Sequence, residues 1–292
     1  MKNKLIIWGI TIFTCLFLIA LYFYYSELSK VPAKPVKFLV KDHSKDYKIL
    51  ILGGHTAAGL KDTGRGAKSY SGKWENEFND AIVNLFANTK NQLAGVEYIL
   101  APTTENLSLQ AKVELAKKIK PDLYIEIHHD SGSQDDIDKA KSEGITSPLW
   151  KSMSGFCVLY YDDGDGKESK FPKESRKFAE LLSEEMIKIN NFHPDSYHAI
   201  KQGIQVTKEN KGLYNRIKPK SLFVLRNAIS PAVVLECGYI INPIDEKILS
   251  TPEFQEKIVW AINNAIEKFR LTLADEQKVK AEANSLSLFL KK

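Results

Sequence analysis

The chain has 292 residues, 43% of them hydrophobic, which is enough to bury the core of one large α/β domain with short appendages. Its formal net charge of +5 is too small to indicate a nucleic-acid-binding protein, and solubility alone accounts for it. Three cysteines, one of them in the apolar N-terminal stretch, exclude a disulfide scaffold and a structural zinc site built from cysteine.

Residues 1–30 differ in character from the rest of the chain. An uncharged apolar run from Leu5 to Tyr25 follows Lys2 and Lys4 and is long enough to cross a bilayer as a helix. The lysines before the run and the aromatic residues at its end predict an uncleaved anchor, with the following domain outside the cytoplasm. A cleaved signal peptide is the alternative, although no small-x-small site follows the run. Residues 31–46 are polar and are interpreted as a linker.

A buried strand followed by a histidine begins the predicted domain. The apolar run from Ile49 to Leu52 ends at two glycines and is followed by His55, as expected for a parallel strand that ends in a glycine turn. Binding sites in open α/β sheets lie at this end of the strands. Further along, Glu75 begins a helix whose apolar stripe includes Phe78. His55 and Glu75 are therefore a candidate pair of metal ligands, although each residue taken alone is more often structural.

The strand predicted from Leu123 to Asp130 ends in several polar residues. Because side chains alternate along a strand, Glu126, His128 and Asp130 share one face and His129 points to the other. A carboxylate at Glu126 or Asp130 can orient a neighbouring imidazole, or it can simply end the strand. The strand therefore offers one more candidate ligand and two candidate supporting groups.

Residues 131–154 are a polar excursion from the sheet with a short apolar group near its end. Later in the chain, Cys157 and Cys237 lie on predicted core strands, so we expect buried free thiols rather than a disulfide bridge. His193 and His198 follow a predicted helix in an irregular stretch. They are interpreted as surface residues, with contact to a substrate as the alternative.

The alternation of strands and helices predicts one three-layer α/β domain over residues 47–272, with a mostly parallel, twisted sheet covered by helices on both faces. Arg226 follows a predicted strand and is a candidate for contact with a substrate. Residues 273–292 are a polar tail, read as a frayed helix or as disordered. The remaining predicted elements are strands at 96–100, 156–161, 222–225 and 232–236 and helices that begin at Ser108 and span 172–190, 244–250 and 252–269.

Four segments carry a resemblance to a known family. They are Gly54-His55, Glu75 with Asn79, Ile127-His128, and the segment from Leu235 to Asn242 around Glu236. In this order and composition they resemble the zinc-dependent N-acetylmuramoyl-L-alanine amidases of the Amidase_3 family. The resemblance covers roughly residues 48–269 and does not extend to the anchor or the tail.

The resemblance implies a metal site and a mechanism. His55, Glu75 and His128 are implied as ligands of a catalytic Zn²⁺ that keeps an open coordination position, and His129 is not implied as a ligand. Glu236 is implied as the general base that takes a proton from the attacking water. The implied substrate is the amide between N-acetylmuramic acid and L-alanine in peptidoglycan, which agrees with a location in the periplasm or on the cell-wall side.

The excursion at 131–154 is similar to an inserted helix that blocks the zinc in related amidases under division control. One interpretation is a gate over the zinc groove that a protein activator displaces. The other is a solvated loop held by a short apolar segment, since long insertions in surface loops cost little. The carboxylates with the potential to reach the metal are Asp135, Asp136, Asp138 and Glu143.

Two other functions remain open from the sequence. A zinc peptidase that cuts the stem peptide of peptidoglycan elsewhere would use the same ligands. An inactive amidase-like wall-binding protein would be expected to lack a ligand or Glu236, and the chain has all of them.

Overall fold

The computed structural model describes residues 47–59, 64–163, 170–190, 192–201, 211–216 and 222–290. The predicted anchor at 1–30 and linker at 31–46 lie outside these residues. Within the described ranges, no helix combines the length and the apolar character that a bilayer crossing requires.

The described residues form one six-stranded sheet in the order β2-β1-β3-β6-β4-β5. All neighbouring strands are parallel except β4 and β6, so the prediction of a mostly parallel sheet is confirmed. In the register of the central strands, His128 on β3 lies beside Glu236 on β6, which lies beside Cys157 on β4. The strands are β1 (Tyr47–Gly53), β2 (Val96–Ala101), β3 (Leu123–Asp130), β4 (Cys157–Tyr160), β5 (Leu213–Asn215) and β6 (Ala232–Tyr239).

Helices cover both faces of the sheet, because alternate strand residues are apolar on each side. One face packs Ile51 and Ile125 against α1, α5 and α9, and the other packs Leu52 and Val234 against α2, α6 and α7. The three-layer α/β prediction is therefore confirmed for the described residues. The helices are α1 (Glu75–Leu85), α2 (Leu109–Ile119), α3 (Gln134–Glu143), α4 (Pro148–Ser152), α5 (Pro172–Met186), α6 (Tyr197–Lys201), α7 (Phe223–Arg226), α8 (Pro243–Leu249) and α9 (Pro252–Leu290).

Several predicted elements differ in the structure. The predicted strand at 222–225 is wrong, since the segment is the short helix α7. A buried apolar run of this length does not distinguish a strand from a helix by periodicity. The excursion at 131–154 folds into α3 and α4. The last helix, α9, continues into the tail as far as Leu290. Cys157 and Cys237 are buried and free, as predicted.

Candidate metal centre

His55 lies two residues beyond the end of β1, in a turn at the carboxyl end of the sheet. The turn is fixed by a hydrogen bond of 2.7 Å from the backbone N–H of Gly54 to the carbonyl of Ile127 on β3. His55 has a φ of 66°, in the left-handed region that a residue other than glycine rarely adopts. Such a backbone conformation persists only where the surroundings hold it, and here it places the imidazole next to Glu75 and His128.

Glu75 joins the two histidines from the first turn of α1. Its Oε2 lies 2.9 Å from Nε2 of His55, and its Oε1 lies 3.0 Å from Nδ1 of His128. The donor atoms of the three residues all lie within 4.8 Å of one another. The structure therefore brings the three predicted ligands together, although they are far apart in the sequence.

Two glycines leave the space that this cluster occupies. A Cβ at Gly54 would overlap the ring of His128, and a Cβ at Gly66 would overlap the carboxylate of Glu75 and approach the ring of His55. Gly66 also has a φ of 80°, which favours glycine by itself. The rings and the carboxylate can therefore pack closely only because neither position carries a side chain.

The chemistry of the cluster fits a zinc ion. Two imidazole nitrogens and one carboxylate oxygen are a donor set typical of catalytic zinc. Burial by itself would raise the pKa of Glu75, but hydrogen bonds from His128 and His55 outweigh it and hold the pKa below its ordinary value. Glu75 is thus ionised and buried, which a nearby cation stabilises.

A buried lysine and glutamate support the ring of His128 from behind. Nε2 of His128 lies 3.3 Å from Oε1 of Glu126, on the side of the ring opposite to Glu75. Lys112 donates a hydrogen bond of 2.7 Å to the same carboxylate and one of 2.9 Å to the carbonyl of Gly53. Burial by itself would raise the pKa of Glu126, but the Lys112 charge and the bond to His128 keep it low. Hydrogen bonding of this kind fixes the tautomer and orientation of a ligand histidine.

His129 lies outside the cluster, on the face that the alternation of β3 predicts. Its Nδ1 is 2.8 Å from Oδ1 of Asn79. The side-chain amide of Asn79 donates a hydrogen bond of 3.0 Å to the carbonyl of Gly54. Burial lowers the pKa of His129 to about 3, so the ring is neutral and donates to Asn79. His129 therefore links α1 to the turn that carries His55.

Glu236 lies beside the cluster but is not among its three donors. It is the register neighbour of His128, and within the described ranges its Oε2 is buried without a hydrogen-bond partner. Burial and the nearby Asp130 carboxylate raise the pKa of Glu236 to about 8. A carboxylate with a raised pKa beside a metal site is suited to accept a proton.

Asp130 and His198 form a pair close to Glu236. Oδ2 of Asp130 lies 3.4 Å from Nδ1 of His198, and Oδ1 accepts a 2.7 Å hydrogen bond from the backbone of Ser131. The interpretation of His198 as a surface residue is wrong, because α6 packs its side chain against the sheet. His193, by contrast, is exposed and contacts Ser154.

The remaining candidate residues are not brought to the cluster. Arg226 ends α7, which packs against α2 and precedes β6. On α3, Asp136 accepts a 2.6 Å hydrogen bond from Tyr197 and pairs with Lys201. The other three α3 carboxylates also lie outside the ligand set. Asp138 accepts from Gln134, Glu143 accepts from Ser147, and Asp135 is exposed.

The excursion that contains α3 is held down at its far end. The side-chain amide of Asn242, at the end of the predicted Leu235–Asn242 motif, donates to the carbonyls of Trp150 and Met153 at 2.7 and 2.9 Å. The ring of Trp150 lies 6.0 Å from that of Tyr70, in the loop that connects His55 to Glu75. The excursion therefore contacts both the end of β6 and the ligand-bearing loop.

Comparison with known proteins gives a consistent result. The sequence model of the Amidase_3 family, described as N-acetylmuramoyl-L-alanine amidase, matches residues 49–268. The amidase AmiA of Salmonella typhimurium is 25% identical over 181 residues, which are 59% of this chain and 60% of AmiA. Across the curated relatives that it matches, the chain spans between 22% and 71% of their length.

Solved structures of amidases share the fold. Ami1 of Mycobacterium smegmatis is 20% identical with a TM-score of 0.56, and the match covers 77% of this chain and 98% of Ami1. The CwlD amidase of Clostridioides difficile, solved in complex with the GerS lipoprotein, is 19% identical with a TM-score of 0.50 over 77% of this chain and 99% of CwlD. Because the family match runs from β1 through β6 and includes the three clustered donors and Glu236, the chain belongs to the Amidase_3 family of N-acetylmuramoyl-L-alanine amidases.

Proposed function

We propose that the protein is a zinc-dependent peptidoglycan hydrolase that cleaves the amide between N-acetylmuramic acid and L-alanine. Membership of the family supports the reaction and the substrate. The observation that carries the proposal is the cluster of His55, Glu75 and His128 with Glu236 directly beside it on the next strand. A site made only for structural zinc would be closed by a fourth ligand and would need no neighbouring base.

Each residue of the site has a separate role in amide hydrolysis. His55, Glu75 and His128 would hold the zinc, which supplies a Lewis acid when bound. Glu236 takes one proton from the water that attacks the amide carbonyl and passes it to the nitrogen of the departing L-alanine. Glu126 and Lys112 keep the His128 ring in place during this cycle. The products are the free carboxyl group of the muramic acid and a peptide with a free amino terminus.

Digestion of purified peptidoglycan by the purified chain tests this assignment. We expect mass spectrometry to find stem peptides that begin with a free L-alanine, and we expect a chelator to stop their release. Cleavage between two residues of the stem peptide would instead favour a zinc peptidase. Binding to the wall without cleavage by zinc-loaded protein would favour a wall-binding protein.

We also propose that the excursion at 131–154 restricts access to the zinc groove until a protein partner moves it. Its contacts with Tyr70 and Asn242 place it next to the ligand-bearing loop and the end of β6. The complex of CwlD with the GerS lipoprotein shows that an amidase of this fold binds another protein. Since the α3 carboxylates lie outside the ligand cluster, the restriction would act by covering the groove and not by ligating the metal.

Loosening α3 without removing it should speed up hydrolysis. Asp136→Ala removes the hydrogen bond to Tyr197 and the ion pair with Lys201 that hold α3 to α6. We expect a several-fold higher rate on peptidoglycan at unchanged zinc content. Asp138→Ala is the matched control, because Asp138 lies exposed on the same helix and, among the described residues, its side chain bonds only to Gln134 of that helix. An equal or slower rate for folded, zinc-loaded Asp136→Ala would remove the proposal.

A further inference from the structure

A second group of polar residues lies beside Glu236, on the side away from the zinc cluster, and is centred on the carboxylate of Asp195. This side chain is fully buried. Its Oδ1 accepts hydrogen bonds of 2.7 Å from the backbone of Tyr197 and 2.8 Å from the hydroxyl of Tyr239. Its Oδ2 accepts 3.1 Å from the backbone of His198 and lies 3.4 Å from Nδ1 of the same residue. A carboxylate with four donors around it is a rigid anchor for the imidazole.

The ring of His198 is held through one of its two nitrogens. Nδ1 lies 3.0 Å from the hydroxyl of Tyr239 and 3.4 Å from both Asp130 and Asp195. The Tyr239 hydroxyl donates its proton to Asp195, so all three neighbours of Nδ1 are acceptors and this nitrogen carries a proton. Nε2 has no partner within the described part of the chain, and the side chain is 20% exposed. The free nitrogen is therefore the one available to a bound molecule.

The position of His198 relative to Glu236 follows from the sheet. A ring nitrogen of His198 lies within 4.8 Å of the sulfur of Cys157. Cys157 is the register neighbour of Glu236 on β4, and His128 is its register neighbour on β3. Since register neighbours point to the same face of a sheet, Glu236 lies between the zinc ligand His128 on one side and His198 on the other.

The electrostatic surroundings keep His198 a donor. Burial by itself would lower the pKa of His198, but the bond with Asp195 and the charge of Asp130 outweigh it and raise the pKa to about 9, and Glu236 contributes in the same direction. Tyr239 and Cys157 also face the ring, and burial raises the pKa of both, so both stay neutral. The imidazole thus carries a proton on each nitrogen at neutral pH.

The geometry points to His198 as a further catalytic residue: we propose that its Nε2–H donates a hydrogen bond to the oxygen of the scissile amide as negative charge develops there. Asp195 and Tyr239 are the positioning residues of this donor. No proton is transferred from His198, so the balance of the hydrolysis is unchanged. The inference rests on the proposed function, because it assigns a role in the same reaction. Fixed donors aimed at a developing oxyanion contribute more than donors in water, since they need no reorganisation.

Asp130, Cys157 and His198 have the residue types of a metal site, but their chemistry argues against one. The Cys157 thiol is fully buried, and burial raises its pKa well above the ordinary value, so it stays protonated. Nδ1 of His198 is already bound to acceptors as a donor. In this protonation state the trio holds an imidazole in place, and the zinc content of the wild type and of His198→Ala distinguishes this role from a second cation site.

The test compares His198→Ala with His193→Ala in the full chain. His193 is exposed five residues earlier in the same segment, so its removal controls for loss of an imidazole near α6. We expect His198→Ala to lower kcat by about 10²- to 10³-fold, the range for loss of one oxyanion donor, with KM within about threefold of wild type. Zinc content should stay unchanged, whereas the unfolding temperature of His198→Ala should fall, because Asp130 and the buried Asp195 lose their cationic partner. His193→Ala should not lower kcat. His198→Gln, which keeps a side-chain N–H, should recover part of the lost kcat.

Several results would overturn this role. A kcat for zinc-loaded His198→Ala within about threefold of wild type would overturn it. So would a rise in KM with unchanged kcat, because that indicates lost substrate binding and not lost stabilisation of the transition state. Two zinc ions per wild-type chain, with one lost in His198→Ala, would make the residue a ligand.

If His198→Ala fails to fold, Tyr239→Phe decides, because it removes only the hydroxyl that holds Nδ1, and unchanged kcat in that variant removes the proposal. If the wild type cleaves a bond within the stem peptide, kcat of the variants and the wild type is compared on that bond. That result would contradict the proposed substrate and leave the role of His198 to be decided by the same comparison. No amide cleavage by the zinc-loaded wild type would overturn both.

Discussion

Glu236→Gln should bind zinc as the wild type does and lose about 10²- to 10⁴-fold in kcat, the usual contribution of a general base. Glutamine has nearly the same shape as glutamate and does not accept a proton at neutral pH. Glu236 is not one of the three clustered donors, so its replacement leaves the ligand set complete. Burial and the nearby Asp130 carboxylate raise the pKa of Glu236, which makes its ionised form a stronger proton acceptor.

The control for this experiment is Glu97→Gln. Glu97 is an exposed strand glutamate on β2, paired with Lys48 and remote from the ligand cluster. Zinc content measured by atomic spectroscopy and kcat measured on soluble peptidoglycan fragments should both match wild type in the control. If Glu236→Gln lost its zinc while it remained folded, Glu236 would be a ligand. If it kept full turnover, the base would have to be sought elsewhere.

His128→Ala and His55→Ala should each lose both the zinc and the activity. Either change leaves two protein donors, one of them the buried Glu75, which is too few to retain zinc in a catalytic site. In His128→Ala the buried pair of Lys112 and Glu126 also loses its contact with the site. The measurements are metal content after dialysis and release of stem peptides from peptidoglycan.

His129→Ala is the matched control for His128→Ala, because the two residues are adjacent on β3. We expect it to keep full zinc content and activity. Its unfolding free energy should fall by about 1–3 kcal/mol, because the buried Asn79 loses its partner. Full metal content and activity in His128→Ala, or loss of zinc in folded His129→Ala, would contradict the assignment of ligands along this strand.

The sequence was sufficient to predict the cluster of His55, Glu75 and His128, because each residue lies near the start or the end of a regular element. His55 follows an apolar strand, His128 lies near the end of another, and Glu75 begins an amphipathic helix, so local patterns place them at one edge of the sheet. The family resemblance was needed to choose His128 over His129. Lys112 was missed because a lysine on a surface helix is normally solvated. Lys112 lies three residues after Leu109 and four before Ala116, so it shares the apolar face of α2. This spacing would have indicated that the side chain is buried.

The surroundings of His198 were not predicted for a different reason, although contact with a substrate was one interpretation of this residue. It lies in a segment without a long regular pattern, and the residues that hold it, Asp130 and Tyr239, are distant in the sequence. Only the packing of α6 on the sheet brings them together. The same limit applies to α7, since a four-residue helix has no periodicity to read.

Gly54 and Gly66 affect how inactive relatives of this protein can be recognised. A single methyl group at either position would displace a ligand ring or the carboxylate of Glu75, although every ligand and Glu236 would remain in the sequence. A gene copy released from selection could therefore lose its metal through a glycine substitution and still carry every residue of the catalytic motif. The three clustered donors and Glu236 therefore do not by themselves distinguish an active relative from an inactive one, and glycine at positions 54 and 66 is an equally informative marker of catalytic activity.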